Sequence, residues 1–162
     1  MIVVSDTSPV LNLVRIGRLQ LLPSLYRQVL IPPAVYQELT TSRRGDTAAI
    51  DLVGEPWLIV ASPTDQTRVR ELRESLDPGE AEAIVLAIER RASLLLMDEK
   101  RGRQTATAAG LTVIGLLGVV TKAKRSGLID LGKPVLDELI RTARFWIGPD
   151  LYAAVLAELE ED

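Results

Sequence analysis

An α/β fold with a central, mostly parallel sheet is predicted by two features of this chain. Short β-branched or leucine-rich runs alternate with helical stretches as far as Ile114, and the run Leu94 to Met97 is apolar without a break and bounded by charge. Strands alternating with helices imply right-handed crossovers joining parallel strands. A strand without a polar face is one that is covered on both sides.

Ile2 to Ser5 reads as the first strand, stopped by Asp6. Ser8 is then placed to cap a helix whose first turn takes Pro9 and whose buried face carries Val10, Leu11, Leu13 and Val14. Gln28 to Ile31 reads as the second strand. Pro32 and Pro33 close it and open a helix with Val35 and Leu39 inward and Glu38 on a neighbouring face. Arg43 to Gly45 reads as a loop, Thr47 to Val53 as a helix, Trp57 to Val60 as a strand, and Asp65 onward as a helix with Val69, Leu72 and Leu76 in register. Asp77-Pro78-Gly79 is a turn signal, after which Ala81, Ile84, Val85 and Ile88 mark a helix deep in the core. Beyond the Leu94 to Met97 strand, Lys100 to Ala109 is a helix closed by Gly110, and Thr112 to Ile114 is the last strand. Leu117 to Arg125, Pro134 to Ala143 and Pro149 to Leu159 are helical, so residues 116–162 form an all-helical part of one expected domain, 1–162.

The chain has 162 residues, enough for one core and too few to need two. It contains neither cysteine nor histidine, which removes disulfides, thiolate metal sites, Ser-His-Asp triads and imidazole chemistry together. Catalysis is left to carboxylates, hydroxyls, lysines or a metal held by hard oxygen ligands, for which magnesium or manganese is the natural choice. A net charge of −3 argues against a protein that merely coats nucleic acid, because such binding is largely phosphate neutralisation. MIVVSD lacks the basic start and longer apolar core of a signal peptide, and no apolar run approaches the roughly 20 residues of a membrane helix; the cytoplasm is the expected location.

Acidic residues recur where strands are expected to end and helices to begin: Asp6, Glu38, Glu80, and Asp98 with Glu99. Each has an ordinary explanation when taken alone. Asp6 and Asp98 suit helix caps, Glu80 complements a helix dipole, and Glu38 suits a solvated face. Their coincidence favours a site, because ligands of open α/β sheets bind outside the carboxyl ends of the strands, and gathered carboxylates repel unless a cation holds them. Ser8 offers a hydroxyl to a metal or its water, or caps the first helix. Basic residues that would serve a phosphate are Arg43, Arg44, Lys100, Arg101 and Arg103, with Arg101 favoured because it follows the acids closely; Lys122, Lys124 and Arg125 read first as a solvated face.

The motifs SDTSPVLNL, PPAVYQEL, DPGEAEAIVLA, LLLMDEKRGR and WIGPDLYAAVL together resemble the PIN-domain ribonucleases, in particular the single-domain toxins of VapBC-type modules, over essentially the whole chain. The resemblance implies a three-layer α/β/α sandwich with a helical carboxyl-terminal extension and an acidic pocket for one or two Mg²⁺ or Mn²⁺ ions. It assigns the catalytic acids to Asp6, Glu38, Glu80 and Asp98, with Asp6, Glu80 and Asp98 on the metal. Glu99 competes with Asp98 and Glu82 with Glu80, and Arg101, Lys100 and Arg103 are the expected RNA contacts.

The function so implied is metal-dependent hydrolysis of RNA by a toxin, with a small antitoxin and a second copy of the chain as partners. The alternative is a catalytically silent scaffold that binds RNA or protein. A phosphatase or receiver domain also carries acids at strand ends, but SDTSP lacks a second aspartate two residues after Asp6. Phe145, Trp146 and Tyr152 are placed on the terminal helices, where they would hold a dimer or receive an antitoxin helix; for Trp146 core packing is the first expectation.

Overall fold

The computed structural model describes residues 1–41 and 55–162. The expected loop at Arg43 to Gly45, the helix at Thr47 to Val53 and the cations Arg43 and Arg44 lie outside the described residues. In chain order the elements are β1 (Val3–Ser5), α1 (Thr7–Arg15), α2 (Leu21–Tyr26), β2 (Val29–Ile31), α3 (Pro33–Thr40), β3 (Leu58–Val60), α4 (Gln66–Leu72), α5 (Pro78–Glu89), β4 (Leu94–Leu96), α6 (Lys100–Ala108), β5 (Val113–Ile114), α7 (Leu116–Arg125), α8 (Lys133–Arg141) and α9 (Pro149–Glu158).

All five strands are parallel, in the order β3-β2-β1-β4-β5. From β1 the chain builds outward through β2 and β3, then crosses back to place β4 on the other side of β1 and β5 beyond it. Strand order therefore reverses between β1 and β4, where an open α/β sheet leaves a crevice at its carboxyl edge.

Alternation along the central strands explains the layers. Val3, Leu94 and Leu96 join one core cluster with residues of α1, α2, α7, α8 and α9. Val4, Leu95 and Met97 join another with residues of α5 and α6. Because successive strand residues face opposite sides, helices cover both faces, giving a three-layer α/β/α sandwich. After β5 the described residues hold helices and no strand.

Three local readings change. Helix α2 joins the expected elements; six residues long with Pro23 inside, it is too short to show a helical period. Helix α4 ends at Leu72, so Leu76 packs from the following turn. The basic run on α7 is not a free solvated face. Lys122 lies over the Tyr26 ring at 4.8 Å from its centroid, Lys124 pairs with Glu161 at 2.9 Å and Arg125 with Glu158 at 3.3 Å. Glu161 also accepts from the Gly132 and Lys133 amides at 2.8 and 3.0 Å. These contacts clamp the carboxyl terminus onto α7 and α8.

Candidate active site

The sheet carries its first acid to the crevice directly. The Asp6 amide donates to the Leu96 carbonyl at 2.9 Å, so this residue is still tied to β4 as the chain turns into α1. Asp6 takes the cap position of α1 without a side-chain cap bond, and it is only 5% exposed. Its carboxyl lines a cleft of about 430 Å³ at the carboxyl edge of β1 and β4. On the other side of the crevice, Met97 closes the ladder to Ile114 at 3.0 Å and Asp98 follows.

Asp98 is held by two donors: the Leu116 amide at the start of α7, 2.7 Å from Oδ1, and Ser8 Oγ, 3.2 Å from Oδ2. Asn12 Nδ2 donates to Ser8 Oγ at 3.0 Å, and Arg15 to Asn12 Oδ1 at 3.4 Å. Ser8, Asn12 and Arg15 lie four and then three residues apart, on the face of α1 that looks into the cleft. Ser8 is thus within the helix and orients Asp98; it is not the cap. Gly115 makes room for this arrangement, since a Cβ there would lie 2.7 Å from both Asp98 Oδ1 and Arg103 Nη1.

Glu38 and Glu80 reach the cleft from helices. Glu38 accepts a hydrogen bond from Thr7 Oγ1. Its Oε1 lies against Gly79, where an added Cβ would be 2.8 Å away, so the start of α5 approaches only because residue 79 has no side chain. Glu80 follows a helix-to-helix turn and not a strand end, contrary to the expectation for it. Asp77 caps α5, its Oδ1 accepting from the Glu80 amide at 2.8 Å, and this sets the first turn so that Glu80 is buried beside the cleft.

A PIN-domain family model matches residues 2–161 of the chain. The protein belongs to the PIN-domain family. No curated protein matches it. Its fold is accordingly of the nuclease type, and among the described residues no helix is long and apolar enough to cross a membrane.

The cleft of this PIN domain brings together Asp6, Ser8, Glu38, Glu80, Asp98 and Glu99. Glu82 lies elsewhere, accepting from the Ala34 amide at 3.4 Å. Lys100 and Arg103 line a neighbouring depression of about 700 Å³ that also reaches Asp98. Arg101, the favoured phosphate contact, turns away and donates to the Ser75 carbonyl at 3.3 Å. Four cleft residues escaped sequence reasoning, among them Thr7, which carried no signal of its own. Asp77 was hidden by its own turn motif, while Asn12 and Arg15 carried a signal in their helical spacing from Ser8. Phe145 and Trp146 also line the cleft, from the loop between α8 and α9 and not from a helix, and Trp146 is exposed rather than in the core.

Burial and mutual repulsion set the electrostatics. Burial raises Asp6 from 3.8 to about 8; the Thr7 amide eases this, and Asp77, Glu80 and Glu38 add to it. Burial, with Asp77 and Glu99 nearby, raises Glu80 from 4.5 to about 7. Asp98 is raised by burial despite the Leu116 amide, Ser8 and the nearby Arg103, and Glu38 by partial burial of its carboxyl despite Thr7. A set of oxygen donors that resists ionising together suits a hard divalent cation, which relieves both desolvation and repulsion. Among the described residues, however, no three acidic side chains converge on one ion position. The donor chemistry fits such an ion, while the acids ring the cleft instead of closing on a point.

Proposed function

We propose that this PIN domain is a Mg²⁺- or Mn²⁺-dependent endoribonuclease, and that it serves as the toxin of a toxin-antitoxin module. The observation that carries the reading is the pairing of Asp6, buried, and Asp98, half-buried, at the switch between β1 and β4, both raised in pKa, with Glu38 and Glu80 around the same cleft. Asp6, Asp98 and Glu80 would hold the ion. Once bound, it supplies charge neutralisation at the phosphodiester and a lowered pKa for the attacking water. Ser8, supported by Asn12, keeps Asp98 in one orientation. Glu38, fixed by Thr7, and Glu80 would orient the attacking water by accepting hydrogen bonds from it, one of them taking a single proton as the new P–O bond forms while the leaving oxygen is protonated from solvent.

The toxin role, the antitoxin and second copy as partners, and the cytoplasmic location rest on the resemblance of the motifs to VapBC-type toxins. A silent scaffold binding RNA or protein is the second reading, favoured by the acids' failure to converge. Mn²⁺ calorimetry on the wild type and Asp98→Asn, followed by Mn²⁺-dependent cleavage of single-stranded RNA, separates the two. Binding and cleavage lost together in the variant support the nuclease. A wild type that binds no Mn²⁺ leaves the scaffold.

A further inference from the structure

The ridge between the acidic cleft and the next depression is aromatic. Arg144 leaves α8 in the left-handed region, with φ at 56°, and the Phe145 amide donates to the Leu139 carbonyl at 2.8 Å. The chain therefore exits the helix in a fixed direction. Phe145 packs against the main core, whereas Trp146 stands 81% exposed. One ring in water is ordinary by itself; this one stands where the acidic cleft meets the next depression, in the path of any ligand that spans both.

The indole is seated. A Cβ added to Gly148 would lie 2.9 Å from Cη2 and 3.0 Å from Cζ3 of Trp146, so the edge of the six-membered ring rests against backbone while most of the ring stays open. Phe145 and Trp146 line both the acidic cleft and a second depression of about 430 Å³, and that depression reaches Asp98 and Arg103. One polymer running out of the acids would cross the indole and meet a guanidinium.

We propose that Trp146 is a stacking platform for the base beside the cleaved phosphodiester of single-stranded RNA, with Arg103 taking the adjacent phosphate. This deepens the ribonuclease reading and rests on it. An unpaired base offers a free π face to an aromatic ring, whereas a duplex spends that face on its own stack. A cation in the depression beyond the ring offers a phosphate the attraction that the acidic cleft withholds, since repulsion there disfavours the backbone.

The test is a titration of wild type, Trp146→Ala and Trp146→Phe with a fluorescein-labelled single-stranded RNA hexamer in Mg²⁺. Label anisotropy and indole emission are read before cleavage products accumulate. The other tryptophan, Trp57, is 8% exposed, so a change in emission reports Trp146. The expected result is saturable quenching, binding weakened by about tenfold in Trp146→Ala because the base loses its stacking partner, and most of it restored by Trp146→Phe. In cleavage, KM should rise while kcat changes little. Binding seen by anisotropy with no change in emission, or equal binding by Trp146→Ala, overturns the platform and leaves the ribonuclease standing. Quenching without any cleavage sinks the hydrolase and with it the scissile position of the base, leaving Trp146 as the stacking ring of an RNA-binding scaffold. No binding by either probe removes both. A blue shift in emission with rising protein concentration and no RNA means that a second copy covers the ring, which overturns the proposal.

Discussion

Asp6→Asn should make the metal-free protein more stable, and increasingly so as pH rises. The carboxyl is raised from 3.8 to about 8 in the fold, so the folded state holds a proton there that the unfolded state has released. Stability is therefore lost as pH climbs through that window, and the full cost is present only above it. About three pH units separate 3.8 from neutrality, and at about 1.36 kcal/mol each the ceiling is about 4 kcal/mol. Water entry and side-chain relaxation cut such ceilings sharply, which leaves roughly 1–2 kcal/mol. Asparagine keeps the size and polarity and removes the charge. Urea unfolding in EDTA, at about pH 5 and about pH 8, should show Asp6→Asn near wild type at the lower pH and ahead of it at the higher. Mn²⁺ should then raise the wild type, by about 2.7 kcal/mol at a hundredfold excess over Kd, and leave the variant unmoved. If Asp6→Asn is instead destabilised equally at both values, the carboxylate is a structural partner and the argument fails.

Other consequences are smaller in reach. Ser8→Ala should weaken Mn²⁺ binding by about tenfold, measured by calorimetry, because Asp98 loses the donor that orients it. Gly115→Ala should weaken it comparably with the fold intact by circular dichroism, since the new Cβ must displace Asp98 or Arg103. Glu161→Gln should lower stability at neutral pH by about 1–2 kcal/mol through its bonds from Lys124, Gly132 and Lys133. Burial pushes the Glu161 carboxyl up, but those donors hold it at about 2, so its contribution is whole above 4.5 and the gap to wild type should close as pH falls towards 2.

What was legible in the sequence follows from the range of the interactions concerned. The strands were visible because burial on both faces leaves unbroken apolar runs, and Asp6 and Asp98 stood out as the charges that end two of them. Choices within helices were not visible. Successive helical residues turn by about 100°, so Arg101 and Arg103 face nearly opposite ways, as do Glu80 and Glu82. Neighbours decide which way each turns: Ser75 takes Arg101 and Ala34 takes Glu82, leaving Glu80 in the cleft and Arg103 in the depressions beside Asp98. Asp77 was read only as a turn because one carboxylate caps α5 and faces the cleft at once. Trp146 misled because hydrophobicity predicts burial as a tendency of many residues and says little of any single one.

The acids of this cleft are not equivalent, and the difference lies in how the protein already satisfies them. Asp98 has the Leu116 amide and Ser8, Glu38 has Thr7 and the Gly79 amide, and Asp77 has the Glu80 amide. Asp6 has the Thr7 amide but makes no side-chain cap bond, sits deepest, and is pushed furthest from its ordinary pKa. Pro9, one turn into the helix, has no N–H to offer as a cap, and the carboxyl faces the cleft. A carboxyl that one amide eases only in part, in a place where ionising is costly, would gain most from a cation brought to it. That makes Asp6 the point on which the metal reading turns, and it is why the charge-removing variant there, rather than at Asp98, has opposite signs under the two readings.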